Sequence, residues 1–125
     1  MRRSASAPNA AVFLGALVVC GIAQAADATR GKELYESRCA GCHSLDQDRI
    51  GPRHRGVIGR KAGAVAGFEY SPALRASRIV WGPRTLDAWL TDPERLIPGQ
   101  RMNYSVTDAA DRAALIAYLE GESGP

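Results

Sequence analysis

The sequence predicts a small all-α domain: about four helices joined by long glycine- and proline-rich loops. Three observations carry this. Apolar residues recur at helical spacing in several stretches, and no stretch alternates apolar and polar residues for long enough to make a sheet. Glycine and proline punctuate the segments between them, at Gly51-Pro52, Gly56, Gly59, Gly63, Gly67 and Pro98-Gly99. Aromatic residues are only 6% of the 125, so the domain is short of large side chains for a core. Loops of this length count against a compact small fold unless they wrap something bulky. A large apolar prosthetic group would both occupy the loops and complete the core.

The N-terminus reads as a processing segment rather than as part of that domain. Arg2 and Arg3 form a basic start, an apolar run follows from about Ala10 to Ile22, and Ala23-Gln24-Ala25 offers small residues for cleavage. The expected organisation is a signal peptide over 1–25 and a folded domain over 26–125. A membrane anchor would need roughly 20 apolar residues, and this run is shorter. Leu17-Val18-Val19-Cys20 is a weak lipoprotein-box alternative, with Val19 too large for the usual small residue. Removal of the segment takes Arg2, Arg3 and Cys20. Fourteen basic residues then face thirteen acidic ones, a net charge of +1. No Lys/Arg run with interleaved aromatics is present, which excludes a nucleic-acid-binding reading.

The first helix is expected from about Asp27 to Cys42, capped by Asp27 or Thr29, with Leu34 and Tyr35 toward one face. A short helix follows Ser71-Pro72, a cap with proline at the first helical position. A third starts at Thr85, places Leu86, Trp89 and Leu90 on one stripe, and stops before Pro93. The last starts near Thr107 or Asp108, puts Leu115, Tyr118 and Leu119 on one face, and ends at Gly121.

Cys39-Ala40-Gly41-Cys42-His43 is the strongest chemical signal. A C-x-x-C-H string reads as a haem attachment site. Two thiols one helical turn apart can each add to a haem vinyl group, and the next residue can aim its imidazole at the iron. A redox disulfide is the first alternative, but such a pair usually opens a helix after a strand. Zinc is the second, but it needs four ligands and only His43 and His54 are further imidazoles. For the sixth iron position the candidates are Met102 and His54. Met102 lies 59 residues after His43, beyond the Ile97-Pro98-Gly99 turn, and among polar neighbours rather than on an apolar stripe. That context favours ligation over core filling. His54 follows Pro52 so closely that the proximal side is its expected place, as a partly buried, hydrogen-bonded residue.

From Gly31 to the C-terminus the chain resembles the class I cytochromes c, the group of the mitochondrial and soluble bacterial proteins. The resemblance rests on Gly31-Lys32-Glu33-Leu34-Tyr35, the haem string, Gly51-Pro52, Gly59-Arg60-Lys61-Ala62-Gly63, Gly67-Phe68-Glu69-Tyr70-Ser71 and Trp81. It continues through Thr85-Leu86, Trp89-Leu90, Asp92-Pro93, Ile97-Pro98-Gly99, Met102 and Leu115-Ile116-Ala117-Tyr118-Leu119. It implies one covalent haem c on Cys39 and Cys42, with iron held by His43 and Met102. It also implies that the Pro52 carbonyl orients His43. Arg60, Tyr70, Ser71 and Trp81 would serve a buried haem propionate, and Trp89 would lie near Met102. Gly31 and Tyr35 would cross the last helix at Leu115 and Tyr118.

Four departures from the mitochondrial pattern stand out. The His43–Pro52 loop is shorter, the segment after Met102 is one residue shorter, and His54 replaces an apolar leucine. The domain has two lysines, Lys32 and Lys61, rather than a lysine ring; Arg38, Arg53, Arg95 and Arg101 are the possible substitutes. The implied function is one-electron transfer rather than catalysis. The expected protein is a monomer in the periplasm, without a stable membrane span. Expected partners are a quinol-oxidising complex, a dehydrogenase or a terminal oxidase or reductase. A dedicated dehydrogenase subunit and a haem sensor or peroxidase with a labile Met102 are the alternatives.

Overall fold

A computed structural model describes residues 16–124. The basic start and the first part of the apolar run, residues 1–15, lie outside it. Five helices are described: α1 (Ala16–Arg38), α2 (Pro72–Ala76), α3 (Pro83–Thr91), α4 (Pro93–Leu96) and α5 (Ala109–Gly121). An isolated antiparallel bridge joins Lys61 to Val80. The architecture is all-α, as expected, with one more helix than the sequence suggests.

The differences lie at the helix ends. α1 begins far upstream of Asp27, so Asp27 and Thr29 are interior, and Thr29 Oγ1 donates back to the Ala25 carbonyl at 3.0 Å. From Ala16 on, the end of the apolar run and the start of the domain are therefore one continuous helix. α1 also stops at Arg38, and the haem string follows as separate turns. α3 starts at Pro83 rather than Thr85; Thr85 Oγ1 instead accepts the Gly82 N–H at 2.8 Å and closes the first turn. Pro93 does end α3, but it also opens α4, because Asp92 caps the new helix by accepting the Arg95 N–H at 3.1 Å. The caps at Ser71 and Asp108 form as the sequence indicates. Ser71 Oγ accepts from Leu74 N–H at 3.1 Å, and Asp108 Oδ1 accepts from Asp111 N–H at 2.9 Å.

The frame of the molecule is the crossing of α1 over α5. A side chain at Gly31 would place its Cβ 1.9 Å from the Ala114 carbonyl oxygen, so the two backbones touch there and only glycine fits. One turn on, the rings of Tyr35 and Tyr118 lie 5.4 Å apart. Buried Asp111 in the first turn of α5 accepts from Arg30 and from Arg38, the latter at 3.2 Å. Leu115 and Val106 are fully buried, and Leu86, Trp89, Trp81, Ile97 and Leu119 close the core around them. Val106 is also tied by its N–H to the Leu90 carbonyl at 2.7 Å. That bond pins the Met102-bearing loop back against α3.

Candidate functional site

The haem string continues α1 as a tight turn. Cys39 N–H bonds the Tyr35 carbonyl at 2.8 Å, and the N–H groups of Cys42 and His43 both return to the Cys39 carbonyl, at 3.1 and 2.9 Å. The two thiols therefore sit on one turn, and no disulfide joins them. Cys39 is half-buried against the core and Cys42 is exposed. Burial pushes the Cys39 thiol up to about 11. Among the described residues no three His, Cys, Asp or Glu side chains converge as a metal-binding group. Zinc therefore lacks its remaining ligands.

His43 is held by close neighbours. Its Nδ1 lies 2.8 Å from the Pro52 carbonyl oxygen. A carbonyl can only accept, so Nδ1 carries the proton and the lone pair is left on Nε2. Burial lowers the His43 pKa, opposed by this bond. Gly51 also approaches the ring so closely that a Cβ there would be 2.1 Å from His43 Cε1. Two free thiols one turn apart, an imidazole with its outer nitrogen already bonded, and a cradle that a single methyl group would fill together fit a covalently attached haem.

His54 packs on this ring. The two imidazoles are stacked, with centroids 4.0 Å apart and planes 22° from parallel. His54 Nδ1 is hydrogen-bonded to the Tyr35 hydroxyl at 3.1 Å. Burial, with the neighbouring His43 and Arg60 adding to it, pushes the His54 pKa down to about 3.

Two of the four residues suggested for a propionate, Arg60 and Trp81, are joined through their backbones. Gly59 N–H bonds the Trp81 carbonyl at 2.7 Å and Trp81 N–H bonds the Arg60 carbonyl at 2.8 Å, so Arg60 and Trp81 are adjacent. The Arg60 guanidinium donates to the carbonyls of Arg53, at 2.7 Å, and Arg55. Burial lowers its pKa, and the nearby Tyr70 opposes the change. Tyr70 Oη accepts the Val65 N–H at 3.2 Å, and Ser71 Oγ accepts from Leu74. A hydroxyl that accepts keeps its own O–H to donate, and a guanidinium has five N–H groups. Arg60, Tyr70 and Ser71 therefore each keep a donor that could serve an anion.

Trp89 is buried against Trp81, with ring centroids 5.4 Å apart, and Met102 packs on the same core cluster. Two further features were not evident in the sequence. Gln100 is buried although it stands in a loop between Gly99 and Arg101, and its amide oxygen accepts the Met102 N–H. The Tyr35–His54 bond joins positions 19 apart, and nothing in either local sequence signals the pairing.

The sequence matches the family model described as Cytochrome c over residues 28–122. Cytochrome c 2.1 of Caenorhabditis elegans is 43% identical over 102 residues, covering 79% of this chain and 92% of the nematode protein. Cytochrome c-type cyt cy of Rhodobacter capsulatus is 41% identical over 95 residues, covering 74% of this chain and 48% of that protein. Among solved structures, cytochrome cH from Methylobacterium extorquens superposes with a TM-score of 0.73 at 34% identity, covering 76% of this chain and 98% of that one.

Proposed function

The chain belongs to the cytochrome c family, and from that premise we propose a periplasmic electron carrier whose iron is held by His43 and Met102. It is a monohaem electron-transfer protein rather than an enzyme, with haem c bound through Cys39 and Cys42. His43 is the proximal ligand, oriented by the Pro52 carbonyl. Met102 is the sixth ligand. Arg60, Tyr70, Ser71 and Trp81 hold a propionate, and Trp89 packs beside Met102.

Haem c supplies a one-electron Fe(III)/Fe(II) couple when bound. The residues here determine how that couple behaves. The observation that carries the reading is His43 Nδ1 at 2.8 Å from the Pro52 carbonyl. It leaves the Nε2 lone pair available, favours one ring orientation and would make the imidazole a better donor to iron. A thioether at the sixth position raises the potential relative to a second nitrogen and closes the iron to small ligands. Cys42 is exposed where Cys39 is half-buried, which supports the solvent-facing side of the attachment as the route for electrons. Residues 1–25 are proposed as a cleaved export signal and 26–125 as the cytochrome domain. Among the described residues no helix is long and apolar enough to cross a membrane. We expect a monomer working between a quinol-oxidising complex or dehydrogenase and a terminal oxidase or reductase.

Optical spectra and a redox titration of the holoprotein test this reading. The oxidised protein should show the weak far-red band of methionine-bound ferric haem, and the reduced protein should not bind CO. Met102→Ala should lower the potential and admit CO. An unchanged spectrum in that variant would refute the ligand assignment. CO binding by the native protein would favour a sensor or peroxidase instead.

A further inference from the structure

We propose that Gln100 is a positioning residue for the Met102 ligand, its buried carboxamide braced by Glu94 to hold the Met102–Asn103 backbone in one bend. The proposal rests on the ligation of iron by Met102. Gln100 is 7% exposed although it stands in the loop between α4 and α5. Its Oε1 accepts two consecutive backbone N–H groups, Met102 at 2.6 Å and Asn103 at 3.1 Å. Its Nε2 donates to Glu94 Oε2 at 3.2 Å and to Asn103 Oδ1 at 2.9 Å. A carboxamide offers two acceptor sites and two donors, and all four are used. The brace is fixed in turn, because Glu94 Oε1 accepts the Gly99 N–H at 3.0 Å from the near side of the same turn.

The bend needs such support. Asn103 has φ 46, a left-handed conformation that a non-glycine residue keeps when the surrounding bonds impose it. Met102 itself is only half-buried, and the loop around it is largely exposed, so core packing alone does not hold it. Without the carboxamide, two adjacent N–H groups lose their partner at the ligand residue itself. The state in which Met102 swings away from iron then becomes more populated, and an external ligand competes more easily.

The test is imidazole binding to the ferric holoprotein, followed optically. Imidazole must displace Met102, so its apparent affinity reports how firmly the loop is held. Gln100→Leu should bind imidazole about tenfold more tightly, as expected for the loss of one or two ordinary hydrogen bonds. The exchanged pair, Glu94→Gln with Gln100→Glu, keeps acceptors for both N–H groups and a donor between the side chains. It should return the affinity toward the native value. A Leu variant with native affinity, or an exchanged pair no better than the Leu variant, overturns the proposal. Should Gln100→Leu fail to mature, exposed Glu94→Ala removes the brace alone and should tighten imidazole severalfold; native affinity there overturns the proposal equally. The far-red band of the native protein separates the two levels. Its absence overturns the Met102 assignment and this inference together, whereas its presence with an indifferent Leu variant overturns only this inference.

Discussion

The His43 imidazole is confined by residues that differ in what they can tolerate. Gly51 gives His43 no room: a methyl group there would sit 2.1 Å from Cε1, so Gly51→Ala must displace the ring or the loop. Such overpacking costs about 1–3 kcal/mol, or more where backbone has to move. Gly51→Ala should therefore yield less holoprotein and a shifted ferric spectrum, read by haem absorbance against total protein. His54, stacked on the same ring, is a different case. It shares a hydrogen bond with the hydroxyl of Tyr35, whose side chain is buried. Removing either partner strands the other, at about 1–3 kcal/mol, but removing both does not. We expect Tyr35→Phe and His54→Leu each to lower the guanidinium midpoint and the double variant to recover most of the loss. Additive losses in that cycle would show that the bond contributes nothing to stability.

The helices meet where small or capping residues let them, and their boundaries were legible to the same extent. Ser71-Pro72 and Asp108 announce α2 and α5 because a side-chain acceptor followed by helical sequence is a local signal. α4 was hidden because Pro93 reads as a stop, while the role of Asp92 as a cap for the next helix requires knowing that the chain turns there. The start of α1 was misplaced because the apolar run beside Ala23-Gln24-Ala25 looks like a segment to be removed, although helix propensity continues through it. The α1–α5 crossing makes the sharpest prediction at this scale. Gly31→Ala drives a Cβ to 1.9 Å from a main-chain oxygen, which no rotamer change can relieve. The helices must separate, at about 3 kcal/mol or more, seen as a lower unfolding midpoint in holoprotein. The cap of α5 adds a pH dependence. Bonds from the Asp111 and Ala110 N–H groups hold the Asp108 carboxyl below its ordinary 3.8. A carboxyl depressed in the folded state contributes stability above its unfolded value and loses it as pH falls through its folded value. Asn keeps the acceptor but not the charge, so Asp108→Asn should be less stable than native protein near neutral pH. The gap should close in acid, below 3.8. A gap independent of pH would assign the whole contribution to the neutral hydrogen bond.

For the molecule as a whole, the site was more legible than its surface. Cys39 and Cys42 are readable because covalent attachment demands two thiols at a particular spacing. The Gln100 brace was not, because a polar residue in a loop reads as solvated until the fold buries it. The surface charges depend in the same way on partners brought together by the fold. Arg38 and Arg53, two of the cations that could have replaced a lysine ring, pair with Asp111 and Asp48 of the same chain. Arg30, Lys32, Arg55 and Arg112 are likewise matched by acids. Without Arg2 and Arg3 the sixteen Lys and Arg fall to fourteen against thirteen Asp and Glu, a net charge of +1. Charges compensated within a few ångströms project little field past the Debye length of about 8 Å at physiological salt. Long-range steering accelerates association by about 10–1,000-fold and falls steeply with ionic strength. This protein should lie below that range. Oxidation of the reduced holoprotein by ferricyanide in stopped flow should slow by less than about tenfold between roughly 0.01 and 1 M salt. A steeper fall would mean that the cations without an acid beside them, such as Arg95 and Arg101, form a concentrated face after all, and charge-reversing those two should then flatten the dependence.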